Sequence, residues 1–183
     1  MNYFTGDLDT DSFLMLDMLT QIEYKSGTSR YNLCKTKKGN GSILYGNTWR
    51  SFLKYDEKGE KVYRAEDPDE PNRYLSKAQV DHPELLYYFQ DFRDHHFPGF
   101  EFTHVQMNKN YPVDWHFDGS NIGESVVIAF GDYVGGSTQI IDENNKIKDL
   151  DTRHKPVKFN GSKIKHRVEP FTGERYALVF FRN

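Results

Sequence analysis

Residues 159–181 read FNGSKIKHRVEPFTGERYALVFF, and the order of turns and strands in this stretch decides the fold. Asn160-Gly161 and Thr172-Gly173 are turn signals, because these residues tolerate the backbone angles of a tight turn. They set off KIKHRV (163–168) and RYALVFF (175–181), two strand-length runs rich in apolar and aromatic residues. Upstream the same texture recurs in FEFTHVQM (100–107), SVVIAFG (125–131), STQIID (137–142) and PVKF (156–159), with Gly135-Gly136 and Asn144-Asn145 as further turns. Many short strands with frequent turns predict a sandwich or barrel of the jelly-roll kind.

Before residue 100 the pattern changes. Phe13, Met15, Leu16, Met18, Leu19 and Ile22 recur near helical spacing, predicting a helix over 11–22 capped by Asp9 or Thr10. A second helix is expected over 82–96, with Asp81 as cap, Pro83 in the first turn, an apolar stripe of Leu85, Leu86, Phe89 and Phe92, and Pro98-Gly99 as the stop. Asp56 to Gly59 predicts a hairpin turn, and the polar stretch 65–73 with its two prolines a loop. The class is therefore α+β, a jelly-roll core with N-terminal helices packed on it.

A chain of 183 residues suits a single domain spanning 1–183, with 1–99 as helical and substrate-side elements and 100–183 as the jelly-roll core. The net charge of −3 argues against a general polyanion binder but leaves room for a local basic patch. Such a patch exists: residues 30–64 hold nine Lys or Arg against three acids, interleaved with Tyr31, Tyr45, Trp49, Phe52, Tyr55 and Tyr63. An anionic substrate is the expected partner, whether nucleotide, nucleic acid or peptide. Cys34 is the one cysteine and is read as a small semi-buried side chain; with no disulfide framework and no signal peptide or membrane span, a cytoplasmic location is expected.

The chemistry centres on His116-Phe117-Asp118. In an extended chain, residues two apart face the same side, so the imidazole and the carboxylate can meet one metal. His166, 50 residues on, can supply the third ligand of a facial triad that leaves positions open on Fe(II). Arg175 follows nine residues after His166, across a turn, and its guanidinium can grip a carboxylate with two parallel hydrogen bonds.

These residues together resemble the Fe(II)/2-oxoglutarate-dependent oxygenases, and the step from His166 to Arg175 is similar to that of their prolyl-hydroxylase branch. The likeness covers about residues 100–183. It implies a double-stranded β-helix. His116, Asp118 and His166 would be the iron ligands and catalytic centre, and Arg175 the anchor of the 2-oxoglutarate C5 carboxylate. It also implies a dioxygenase that couples decarboxylation of 2-oxoglutarate to succinate with hydroxylation or demethylation of a substrate. Its cofactors would be Fe(II), 2-oxoglutarate and O2, with ascorbate as an auxiliary reductant. A weaker resemblance to AlkB-like enzymes implies a co-substrate role for Asn108, although Asn110 stands where those enzymes carry a tyrosine.

Two other classes compete. A jelly-roll binding module needs no such set of four residues, and a cupin-like metalloenzyme usually clusters more histidines in its first motif. Elsewhere, ordinary roles are expected. His95 and His96 should face solvent at a helix end, His104 should be structural, His154 solvated, Arg182 at the surface, and Gly135-Gly136 a turn. Glu124 and Ser125 follow the motif closely enough to line the mouth of the site.

Overall fold

A computed structural model describes residues 3–24 and 39–183. Cys34, Arg30, Lys35, Lys37 and Lys38 lie outside the described residues. The first half of the chain contains α1 (Leu8–Thr20), β1 (Gly41–Tyr45), β2 (Asn47–Thr48), β3 (Phe52–Tyr55), β4 (Lys61–Tyr63), β5 (Tyr74–Leu75), α2 (Lys77–Asp81) and α3 (Leu85–His96). The second contains β6 (His104–Lys109), β7 (Ser125–Phe130), β8 (Tyr133–Gly135), β9 (Thr138–Ile141), β10 (Ile147–Leu150), β11 (Val157–Phe159), β12 (His166–Val168), β13 (Phe171–Gly173) and β14 (Tyr176–Phe181).

The strands form a five-stranded sheet in the order β1-β6-β14-β7-β11, a three-stranded sheet β10-β9-β12, and three two-stranded pairs. All these pairings are antiparallel and fit the α+β class, but the order is not helices then strands: five strands precede α2 and α3, and β1, from the N-terminal half, pairs with β6 in the large sheet.

The side-chain period of two gives the large sheet two different faces. Val105 and Met107, Val126, Ile128 and Phe130, and Tyr176, Leu178 and Phe180 all point toward the helices, where they join Met15, Leu19, Leu85, Phe89 and Phe92 in one buried core. Fully burying each such side chain stabilises the fold by roughly 1.5–3 kcal/mol. The intervening residues Gln106, Asn108, Val127, Ala177, Val179 and Phe181 line a cavity on the opposite face. One face therefore holds the protein together and the other is left for chemistry.

Several boundaries differ from expectation. α1 begins at Leu8, because the Asp7 carboxylate accepts from the Thr10 amide and caps the helix one turn early. The expected helix over 82–96 forms as α3 but starts only at Leu85, and Asp81, its expected cap, instead ends a separate short helix, α2, whose start Ser76 and Gln79 cap reciprocally. Pro83 explains the break: it disfavours helical angles in His82, which sits at φ −138° and ψ 60°. The hairpin at residues 56–59 forms as expected, with Asp56 Oδ1 accepting from the Lys58 and Glu60 amides.

Candidate metal centre and active-site cavity

His116-Phe117-Asp118 is not part of a regular strand. Its backbone is nonetheless held extended against residues 161–166: His116 and His166 exchange N–H···O bonds of 2.9 and 3.0 Å, and the Asp118 amide donates to Gly161 at 3.0 Å. The expected same-side geometry follows from this local pairing. His116, Asp118 and His166 come together, with one ligand atom from each lying within 4.8 Å of the others. His116 Nε2 is 3.5 Å from Asp118 Oδ1, and His166 Nε2 is 3.6 Å from Asp118 Oδ2.

The ring orientations suit metal ligation. Nδ1 of His116 donates to the Asp114 carbonyl at 2.8 Å, and Nδ1 of His166 to the Ile164 carbonyl at 2.9 Å. Each bond fixes the tautomer whose Nε2 lone pair points at the shared centre. Burial pushes the His166 imidazole below its ordinary pKa, which favours the neutral form a metal needs. Asn121 Nδ2 donates to Asp118 Oδ2 and to Ser125 Oγ, both at 3.2 Å, and so steadies the carboxylate.

The group opens into a cavity that Arg175 and Asn108 also line. The expected route to Arg175, a hairpin from the strand of His166, is not what forms. β12 pairs with β9 in the smaller sheet, whereas β14 lies between β6 and β7 in the larger, so His166 sits in one sheet and Arg175 immediately before a strand of the other. The chain crosses between them through β13, which pairs with β8.

Arg175 is 2% exposed. Burial pushes its pKa down, and a hydrogen bond from its guanidinium to the Tyr133 side chain acts in the opposite sense. Nε and one terminal nitrogen are buried with no hydrogen-bond partner among the described residues. Stacking on Tyr133 at 5.5 Å and Phe171 at 5.8 Å holds the group in place. Gly136 makes room for it: at φ +75°, a Cβ there would lie 3.0 Å from Arg175 Cδ. A buried cation with two unmet donors has the chemistry to pair with a carboxylate. The residues thus fit both groups: two imidazoles and a carboxylate for a divalent iron, and a guanidinium with two unmet donors for a dicarboxylate.

Asn108 accepts from Ser42 Oγ at 2.5 Å through Oδ1. Asn110, at φ +45°, accepts from the Arg175 amide at 2.7 Å and so orients the turn rather than the cavity. Arg182 is a surface residue, 3.6 Å from Glu101, and His104 is buried with Nε2 on the Asn47 carbonyl at 2.8 Å; both were expected.

Three expectations fail. His96 is not at the surface: its side chain is 4% exposed and its Nε2 meets the buried Asp11 carboxylate at 2.7 Å, because the last turn of α3 packs against the N-terminus of α1. His154 is partly covered by Phe13 and Phe130. Neither Glu124 nor Ser125 lines the cavity: Ser125 is buried with its hydroxyl turned to Asn121, and Glu124 points out toward Lys158. Conversely, Tyr133, Asn121 and Gly161 were missed. Asn160-Gly161 reads only as a turn, and nothing local in the sequence distinguishes Tyr133 or Asn121.

No protein-family model and no curated protein matches the sequence. Solved structures do. A prolyl-4-hydroxylase from Pseudomonas putida is similar over 100% of this chain and 89% of its own, at 15% identity and a TM-score of 0.50. A 2OG-Fe(II) oxygenase family oxidoreductase from Burkholderia pseudomallei is similar over 92% and 77%, at 18% identity and a TM-score of 0.52. NgTET1, solved in complex with 5mC DNA, is similar over 96% and 67%, at 14% identity and a TM-score of 0.51. The chain has the fold of the Fe(II)/2-oxoglutarate-dependent oxygenases.

Proposed function

We propose that this protein is a non-haem Fe(II)- and 2-oxoglutarate-dependent dioxygenase that hydroxylates or demethylates its substrate. On this reading residues 1–183 form one domain, and its sheets are the two walls of a double-stranded β-helix. The observation that carries it is the pairing of two features in one cavity: a His–Asp–His group with both Nε2 atoms turned inward, and a buried Arg175 with unmet donors.

His116, Asp118 and His166 would hold Fe(II). Iron, when bound, supplies the centre at which 2-oxoglutarate and O2 react to give succinate, CO2 and an oxidised substrate. Arg175 would grip the C5 carboxylate with its free nitrogens, and Asn108, oriented by Ser42, would contribute a further polar contact to the co-substrate. Tyr133, Phe171 and Gly136 hold Arg175 in place, and the apolar Val127, Ala177 and Val179 keep water from the co-substrate chain. A buried cation without a ligand costs stability, so its retention favours this reading over a bare binding module. It equally disfavours a cupin-like enzyme, in which an orphan guanidinium has no role.

We place the enzyme in the cytoplasm, in keeping with its single cysteine; among the described residues no helix is long and apolar enough to cross a membrane. Incubation of the Fe(II)-loaded protein with 2-oxoglutarate, O2, ascorbate and pools of peptides, nucleotides and metabolites tests the activity. Mass spectrometry should find one oxidised product rising in step with succinate; succinate levels equal to a protein-free control would rule the reading out.

A further inference from the structure

One row of side chains crosses the smaller sheet beside the metal group. The pairing of His116 with His166 is antiparallel, so it sets Trp115 opposite Arg167. The register of β12, β9 and β10 then sets Arg167 opposite Gln139, and Gln139 opposite Asp149. Each of these neighbours touches the next. The Arg167 guanidinium lies over the Trp115 ring, 4.6 Å from its centroid, and its Nε donates to Gln139 Oε1 at 2.7 Å. Gln139 Nε2 donates in turn to Asp149 Oδ1 at 2.8 Å.

The chemistry of the row fixes its direction. A guanidinium only donates and an ionised carboxylate only accepts, so the Gln139 amide between them has a single orientation. Gln139 is buried, which strengthens both of its bonds. Neighbouring residues of a strand face opposite ways, so Arg167 turns to Gln139 while His166 turns to the metal group. The row therefore holds the backbone that carries the ligands rather than the ligands themselves.

Residues 116–118 carry two of the three ligands yet lie outside any regular strand, and their backbone bonds run to His166 and Gly161. A clamp at Trp115 adds a constraint immediately before His116. Such constraints matter because functional groups must be held within roughly 0.5 Å of their working geometry. Building on the metal-centre reading, we infer that Arg167 is a positioning residue for the metal group. Stacked on Trp115 and held by Gln139 and Asp149, it sets the spacing of His116 from His166.

Binding of Co(II) alone to the full chain tests this, with affinity read by competition with a chelator and the site by the visible absorption of the bound ion. Arg167→Ala and Trp115→Leu should each weaken Co(II) binding about tenfold and alter its spectrum. Arg167→Lys keeps a cation over Trp115 but loses the planar fork, and should recover part of the loss. The double variant should bind little worse than either single one, because the two side chains act as one clamp. Thermal melting of the metal-free proteins checks folding; should Arg167→Ala not fold, Trp115→Leu and Arg167→Lys decide. Lower melting temperatures with Co(II) affinity and spectrum unchanged would mean a purely structural row and overturn the inference. Losses that simply add in the double variant would overturn the clamp as well. A parent protein that binds no Co(II) overturns the metal-centre reading itself, a result distinct from indifferent variants of a metal-binding parent.

Discussion

Gly161 lies directly against the Asp118 carboxylate: a Cβ at residue 161 would sit 2.4 Å from Asp118 Oδ2 and 3.2 Å from His166 Cε1. The Asp118 amide also donates to the Gly161 carbonyl, so one residue both holds the Asp118 backbone and clears space for its side chain. Gly161→Ala should therefore act as a metal-site mutation although residue 161 is not a ligand. Metal affinity, measured by competition with a chelator, should fall about tenfold or more, since mutating a group that orients a metal ligand typically costs about 10–100-fold. Unchanged affinity would show that the carboxylate moves aside freely.

Arg175 sets function against stability. Replacing even a buried ion pair with apolar side chains of similar volume is often neutral or stabilising by about 1–4 kcal/mol, and a cation buried without a counter-charge has no ion pairing to lose. Arg175→Met should raise the unfolding midpoint in denaturant while weakening 2-oxoglutarate binding strongly. Arg175→Lys keeps the charge but loses the fork and should bind with intermediate affinity. A lower midpoint in Arg175→Met would mean that the guanidinium is already satisfied in the ligand-free protein.

The buried Asp11 is a structural hub. Its Oδ1 accepts from the Thr5 amide and hydroxyl, and its Oδ2 from the Gly6 amide and His96. Burial pushes its pKa up, but these bonds more than offset that and hold it below the ordinary 3.8. A depressed carboxyl contributes stability that is fully present above 3.8 and is lost as pH falls through the lower folded value. Asp11→Asn should cost about 1–3 kcal/mol at neutral pH, because its amide cannot accept from both Gly6 and His96. Its stability should also fall less steeply with acidification; parallel acid limbs in the two proteins would contradict this.

Recruitment of an anionic substrate, if it uses the described part of the basic segment, falls to the exposed β3–β4 hairpin with Trp49, Phe52, Tyr55 and Tyr63. Reversing Lys54, Lys58 and Lys61 together should raise KM for a polyanionic substrate, more so at low salt, and leave 2-oxoglutarate affinity unchanged. The neighbouring Glu66, Asp67, Asp69 and Glu70 limit the field, so a modest effect is expected. An identical KM at low salt would mark these lysines as solvated surface only.

The strands with the strongest apolar signal were legible: RYALVFF and SVVIAFG become β14 and β7 nearly residue for residue, whereas KIKHRV yields only β12 at His166–Val168 and the expected Thr172-Gly173 turn lies in β13. The four residues His116, Asp118, His166 and Arg175 were legible because their chemistry is rare and their spacings agree, and all line one cavity. What the sequence hid is long-range. That His166 and the strand following Arg175 lie in different sheets depends on pairing partners far along the chain, and the burial of His96 depends on Asp11, 85 residues away. Tyr133 and Gly161 matter through what they touch, which no local pattern encodes.

Succinate formation from 2-oxoglutarate by the Fe(II)-loaded protein, compared with His116→Ala, Asp118→Ala, His166→Ala and Arg175→Met, tests the central claim most directly. The account predicts iron-dependent succinate from the parent, abolished in the three ligand variants with the fold retained by circular dichroism. In Arg175→Met it should be restored only at much higher 2-oxoglutarate. Succinate yields equal across all five proteins would contradict the site and with it the proposed activity.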